Sequence, residues 1–169
     1  MTSNRELQLP GDRVSGYLRW TIALLCLGAA EIHFAVVPEH FEEVWTRGAF
    51  FFVVANLQLL LSGLIVWRPS RRILIVTALA NAAVAATWMI SRAATTSIFG
   101  IPAEPLGFAD TLSSGLEVAA AAGCLLLLFS RTLATRPVAR RLAVPTVAFL
   151  GAIVLTLSGL SLTPLVGSS

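Results

Sequence analysis

The chain has 169 residues, of which 56% are hydrophobic and only 12% are charged, and its mean hydropathy is +0.81. A soluble domain of ordinary composition carries about 25% charged residues, so these values exclude a disordered chain and argue against a soluble enzyme. All 12 basic residues are arginine, but the net charge is only +3, so the composition indicates no nucleic-acid partner.

Five apolar stretches come close to the roughly 20 residues that a helix needs to cross a bilayer core. In chain order they are residues 17–37, 49–67, 73–90, 110–130 and 142–160. None of them alternates apolar and polar residues as a barrel strand would, and a helix satisfies its own backbone in lipid. The sequence therefore predicts an all-α polytopic helix bundle, one transmembrane domain over residues 1–169, in the cell membrane.

The arginines lie at one end of the predicted spans. Ten of the 12 fall in the amino terminus, the second connection and the fourth connection, together with two acids, which gives that side a charge of +8. The other side has two arginines and seven acids, a charge of −5. Because arginine-rich connections stay in the cytoplasm, we expect the amino terminus inside and the carboxyl terminus outside.

Polar side chains interrupt four of the spans. A charge at the centre of a spanning helix costs about 2.5–3.5 kcal/mol, so such residues usually face the bundle interior or a water-filled cavity. The first span carries Glu31 and His33, and the fourth carries Glu117. Arg92 closes the third span at the depth of Asp110, and it either pairs with an acid there or extends to the headgroups. The second and third spans carry only amides, which suit a supporting role in hydrogen bonding: Asn56, Gln58 and Asn81.

Spans one and four share a spacing. His33 and His40 are seven residues apart, which is two helical turns, so they share a helix face. Asp110 and Glu117 have the same spacing in the fourth span. Counted from the arginine at the cytoplasmic end of each span, His33 and Glu117 are both 14 residues in. If the spans are neighbours, His33 meets Glu117, and His40 meets Asp110 at a second level about 10 Å away.

An imidazole beside a carboxylate supports three kinds of chemistry. The pair can ligate a transition metal such as Zn, Fe or Cu, or the carboxylate can orient a histidine that ligates the metal. The pair can also pass protons, because histidine titrates near neutral pH. One ion cannot take both histidines across two levels about 10 Å apart. Haem is less favoured, because only His33 lies deep in a span. The candidate metal ligands are His33, Glu117, Glu31, His40 and Asp110.

These residues also have structural interpretations. Pro38 lies between the two histidines and can end the helix, which would leave His40 in an ordinary loop. Asp110 suits the N-cap of the fourth span. His33 can be a core histidine that is hydrogen-bonded to an amide or an acid. The three phenylalanines at positions 50–52 are interpreted as lipid-facing or core bulk.

The sequence thus favours a membrane protein with an outward-facing His–carboxylate site that binds a transition metal or handles protons. A non-catalytic structural or assembly subunit is one alternative, and a membrane enzyme acting on a lipid-soluble substrate is another. No residue pattern specifies a reaction, so enzymatic activity stays undecided. The lipid bilayer is the expected partner, and alanine-rich stretches in spans three and four also permit a homo-oligomer or a membrane complex.

Overall fold

The computed structural model describes residues 14–93, 107–130 and 140–161. Within these ranges every regular element is a helix, and each of the five helices is long and apolar enough to cross a membrane. The structure therefore confirms the all-helical prediction and the five candidate spans. The helices are α1 (Val14–Glu43), α2 (Trp45–Trp67), α3 (Arg71–Ala93), α4 (Phe108–Phe129) and α5 (Arg140–Ser161).

Helix α1 lies at the middle of the bundle, where it contacts α2, α4 and α5, while α3 packs along α4. A cluster of buried apolar residues forms a core towards one end of the bundle. This end carries Arg19 and Arg71, and we name it the arginine end. The opposite end, which carries Glu43 and Asp110, is named the acidic end. The core cluster consists of Ile22, Ala23, Cys26, Ile65, Ala78, Ala120 and Cys124.

Glycine allows α1 to approach its neighbours closely. A Cβ atom on Gly28 would lie 2.5 Å from Val154 Cγ1 on α5, so no side chain fits there unless Val154 shifts. A Cβ atom on Gly123 of α4 would lie 2.8 Å from Ile22 Cγ1. In a bilayer, where lipid offers little hydrophobic drive between helices, close packing of this kind is a main source of helix association.

Two predicted helix boundaries are corrected. Helix α1 continues through Pro38 to Glu43, and the backbone bond from Val44 N to His40 O (3.0 Å) shows that the helical hydrogen bonding resumes after the proline. His40 therefore lies in the last turn of α1, and its interpretation as a loop residue is wrong. Helix α4 has Gly107 at its N-cap, so the N-cap role predicted for Asp110 is also wrong. Asp110 lies in the first turn instead, where an acid is favoured by the helix dipole.

Candidate functional site

Four buried polar side chains converge inside the bundle, one from each of the first four helices. We name this group the central polar cluster: His33 of α1, Gln58 of α2, Asn81 of α3 and Glu117 of α4. Each is at most 4% exposed to the surroundings of the chain. Buried polar groups need hydrogen-bond partners, so their convergence links the four helices at one level.

Small residues create the space for this cluster. On α4, four buried residues lie three, four or seven positions from Glu117 and so share its helix face: Ser113, Ala120, Ala121 and Cys124. On α1, His33 follows the buried small residues Cys26, Ala29 and Ala30 on its own face. The faces of α1 and α4 that meet at the cluster are therefore lined by small residues, and His33 and Glu117 project from them.

Glu117 is the centre of the hydrogen bonding. Its Oε1 atom lies 2.8 Å from His33 Nε2 and accepts a second bond of 2.8 Å from Gln58 Nε2. The Gln58 amide also makes a longer contact of 3.5 Å with Asn81 Oδ1. Asn81 in turn donates to Thr77 O at 2.9 Å and to Cys26 Sγ at 3.6 Å. The cluster is thus one connected chain of polar groups from α1 to α3.

The cluster has more acceptors than donors. Glu117 Oε2 and Gln58 Oε1 are buried, and no described residue donates a hydrogen bond to either. A buried acceptor without a donor costs about 1–3 kcal/mol. These two oxygens are therefore acceptors of the cluster that no described residue satisfies.

Phe51 is the residue that the sequence interpretation missed. Its ring stacks on the His40 imidazole at a centroid distance of 4.5 Å and an interplanar angle of 18°. The same ring also contacts the His33 imidazole, at 5.3 Å and 34°. Phe51 is half-buried and lies between the two histidines, whereas its neighbours Phe50 and Phe52 are exposed. Core bulk is therefore an incomplete description of this side chain.

Phe51 and Gln58 are seven positions apart, so they share a face of α2. That spacing is the signal that could have placed Phe51 next to the site. It was obscured because the apolar run at positions 50–52 gives no reason to choose one ring over the other two.

The remaining candidates lie towards the acidic end and bond to other partners. His40 Nδ1 lies 3.1 Å from Glu43 Oε2, and Arg47 donates to the same oxygen at 2.8 Å. Asp110 accepts a hydrogen bond from Arg92, whose guanidinium lies 6.0 Å from the centre of the Trp88 ring. In place of the expected pairing of His40 with Asp110, His40 contacts Glu43 and Asp110 pairs with Arg92.

Glu31 and Asn56 lie apart from the central polar cluster. Glu31 is two positions from His33 and so points to a different side of α1, where its Oε2 atom is buried without a hydrogen-bond donor among the described residues. Asn56 is exposed and donates to Phe52 O of its own helix at 2.7 Å. Of the three predicted supporting amides, Gln58 and Asn81 reach the cluster.

The five candidate metal ligands do not assemble into one group. The structure brings His33 and Glu117 together, and it holds the other three elsewhere. Across residues 14–93, 107–130 and 140–161 there is no set of three His, Cys, Asp or Glu side chains placed to hold an ion. Protein zinc sites usually take at least three such ligands, so metal binding stays a prediction from the sequence.

Comparison with known proteins identifies no relative. No family model matches the chain, no curated protein matches it, and no solved structure matches it. Its function is therefore inferred from the geometry of the central polar cluster alone.

Proposed function

We propose that this chain is an integral membrane protein that binds and releases a proton at the buried His33–Glu117 pair. The observation that carries the proposal is the bond of 2.8 Å between His33 Nε2 and Glu117 Oε1, at a site where both groups are almost fully buried. Across that distance one proton can belong to either group, as imidazolium beside carboxylate or as imidazole beside carboxylic acid. The unfilled acceptor Glu117 Oε2 gives a further proton a place to bind.

Access to the pair runs from the acidic end. The exposed fraction of the side chain falls from 44% at Glu43 to 12% at His40, 5% at His33 and 1% at Glu117. Phe51 lies between the second and third of these groups and contacts both imidazoles. A proton that enters at Glu43 and His40 would therefore reach His33 when the Phe51 ring moves aside. We name the groups at Glu43 and His40 the mouth. In this scheme Phe51 limits the exchange of protons between the mouth and the buried pair.

The charge asymmetry of the sequence supports an orientation with the acidic end outside the cell. The mouth would then draw cations, including protons, from the exterior, because Glu39, Glu42 and Glu43 surround His40.

A cysteine placed at Glu42 (Glu42→Cys) should react with a membrane-impermeant maleimide on intact cells. One placed at Arg68 (Arg68→Cys) should react only after lysis. The native Cys26 and Cys124 are buried, so they add little background. The reverse labelling pattern would overturn the orientation.

Infrared difference spectroscopy against pH tests the proton site directly at the carboxyl group. Wild-type protein in lipid should show a carboxylic-acid C=O band that grows and disappears with pH. The band should be absent in Glu117→Gln, which keeps the size of the side chain but cannot ionise. It should persist in Glu42→Gln, which removes an exposed carboxylate. Identical spectra for the wild type and Glu117→Gln would refute the proposal.

A structural subunit is the second candidate, because the same hydrogen bonds join four helices. The two candidates predict different behaviour of Glu117. In a purely structural role its carboxyl group keeps one protonation state over the pH range in which the protein stays folded, although its removal still lowers stability. In a proton-binding role the carboxyl signal changes within that range. The infrared titration therefore separates the two.

A further inference from the structure

A cavity of about 360 Å³ opens at the arginine end, between α1, the start of α3 and the end of α4. It has a polar side and an apolar side. Arg19 and Arg71 provide the charge, with Ser15 and Ser70 beside them, and the remaining wall is formed by Pro69 and three leucines: Leu74, Leu127 and Leu128. It lies at the opposite end of the bundle from the mouth at His40, so nothing in the proton-binding proposal depends on it.

The polar side of the cavity suits a phosphate. Arginine stays charged at any pH relevant to a cell, and its planar guanidinium binds phosphate oxygens through two parallel hydrogen bonds. No carboxylate among the described residues forms an ion pair with Arg19 or Arg71. Two positive charges from different helices therefore line the same cavity, and no carboxylate of the described residues pairs with either.

The apolar side restricts what kind of phosphate fits. Leu74 follows Arg71 by three positions and so lies about one turn deeper along α3, and Leu127 and Leu128 lie in the last turn of α4. A soluble anion gains nothing from such a wall, whereas an acyl chain attached to the phosphate would pack against it. Basic pockets between the ends of spanning helices are a recurring binding site for anionic lipid headgroups.

We propose that this cavity binds one anionic phospholipid, with its phosphate held by Arg19 and Arg71 and the start of an acyl chain against the three leucines. The lipid would link α1, α3 and α4 at their ends, where α1 and α3 are joined by few other polar contacts among the described residues.

Native mass spectrometry of the protein released from mixed vesicles tests this assignment. In vesicles of phosphatidylglycerol and phosphatidylcholine, the wild type should retain phosphatidylglycerol selectively. The double variant Arg19→Gln/Arg71→Gln should bind it about tenfold or more weakly, the loss expected when a charge-assisted hydrogen bond is removed. Arg68→Gln is the matched control, because Arg68 belongs to the same connection but does not contribute to the cavity wall.

Each other result contradicts the proposal. If the wild type shows no preference for the anionic lipid, or if the double variant retains it as well as the wild type does, the site is not in this cavity. If Arg68→Gln causes an equal loss, the effect is one of total charge. Displacement of the lipid by millimolar inorganic phosphate would assign the cavity to a soluble anion. Unchanged helical content by circular dichroism confirms that the variants are folded.

Discussion

Replacing Glu117 with alanine removes the hydrogen-bond partner that two buried nitrogen atoms share. His33 Nε2 and Gln58 Nε2 would both lose their partner at Glu117 Oε1. An orphaned buried donor costs about 1–3 kcal/mol, so the two together cost about 2–6 kcal/mol. The substitution also removes Glu117 Oε2, an acceptor that is already unpaired, and this offsets part of the loss. We therefore expect Glu117→Ala to lower the free energy of unfolding by about 2–4 kcal/mol.

Reversible unfolding in lipid–detergent micelles, followed by circular dichroism, measures this difference. Glu42→Ala is the control, since Glu42 is an exposed carboxylate on α1, where a substitution changes stability by less than about 0.5 kcal/mol. Glu117→Gln should fall between the two, because its amide oxygen can still accept one of the bonds. If Glu117→Ala is no less stable than Glu42→Ala, the hydrogen bonding described for the central polar cluster is wrong.

Three other predictions follow from the contacts. Gly28→Ala should lower the free energy of unfolding by about 1–3 kcal/mol, because its Cβ would meet Val154 at 2.5 Å. Gly159→Ala should have little effect, because among the described residues no atom beyond its own helix backbone and chain neighbours lies within 4 Å of the added Cβ. Equal effects would contradict the close α1–α5 packing. Phe51→Ala should speed the exchange of the His33 ring proton with solvent by at least tenfold, measured by NMR, and Phe52→Ala should leave it unchanged. An unchanged exchange rate in Phe51→Ala would exclude Phe51 as the barrier. Elemental analysis of protein purified without added metal should find less than one transition-metal ion per chain. One ion per chain that is lost in His33→Ala would favour metal binding at this site instead.

Composition and span length predicted the fold well because lipid leaves few alternatives for a long apolar stretch. The ends of the helices were harder to predict. Pro38 removes one backbone donor, and whether a helix ends there depends on packing beyond it. In the structure Phe51 packs against His40, two residues after the proline, and α1 runs on to Glu43. That contact comes from α2 and cannot be deduced from α1 alone.

The pairing of His33 with Glu117 followed from counting depth along two antiparallel spans. The same count failed for His40 and Asp110, because depth fixes the level of a residue but not the neighbour it faces. Near the acidic end the closest opposite charges belong to other positions: Glu43 is three residues from His40, and Arg92 approaches Asp110 from the adjacent α3. Local ion pairs of this kind depend on helix rotation, which the sequence pattern leaves open.

The protonation of His33 next to Glu117 is the central claim, and nitrogen-15 NMR of histidine-labelled protein tests it most directly. The chain has only two histidines, so His40→Gln leaves the His33 ring as the single labelled imidazole. We predict that its ring nitrogens shift with pH, and that adding Glu117→Gln changes this dependence, because His33 Nε2 loses its carboxylate partner at 2.8 Å. A His33 signal that does not change with pH, or that is the same with and without Glu117→Gln, would contradict the account.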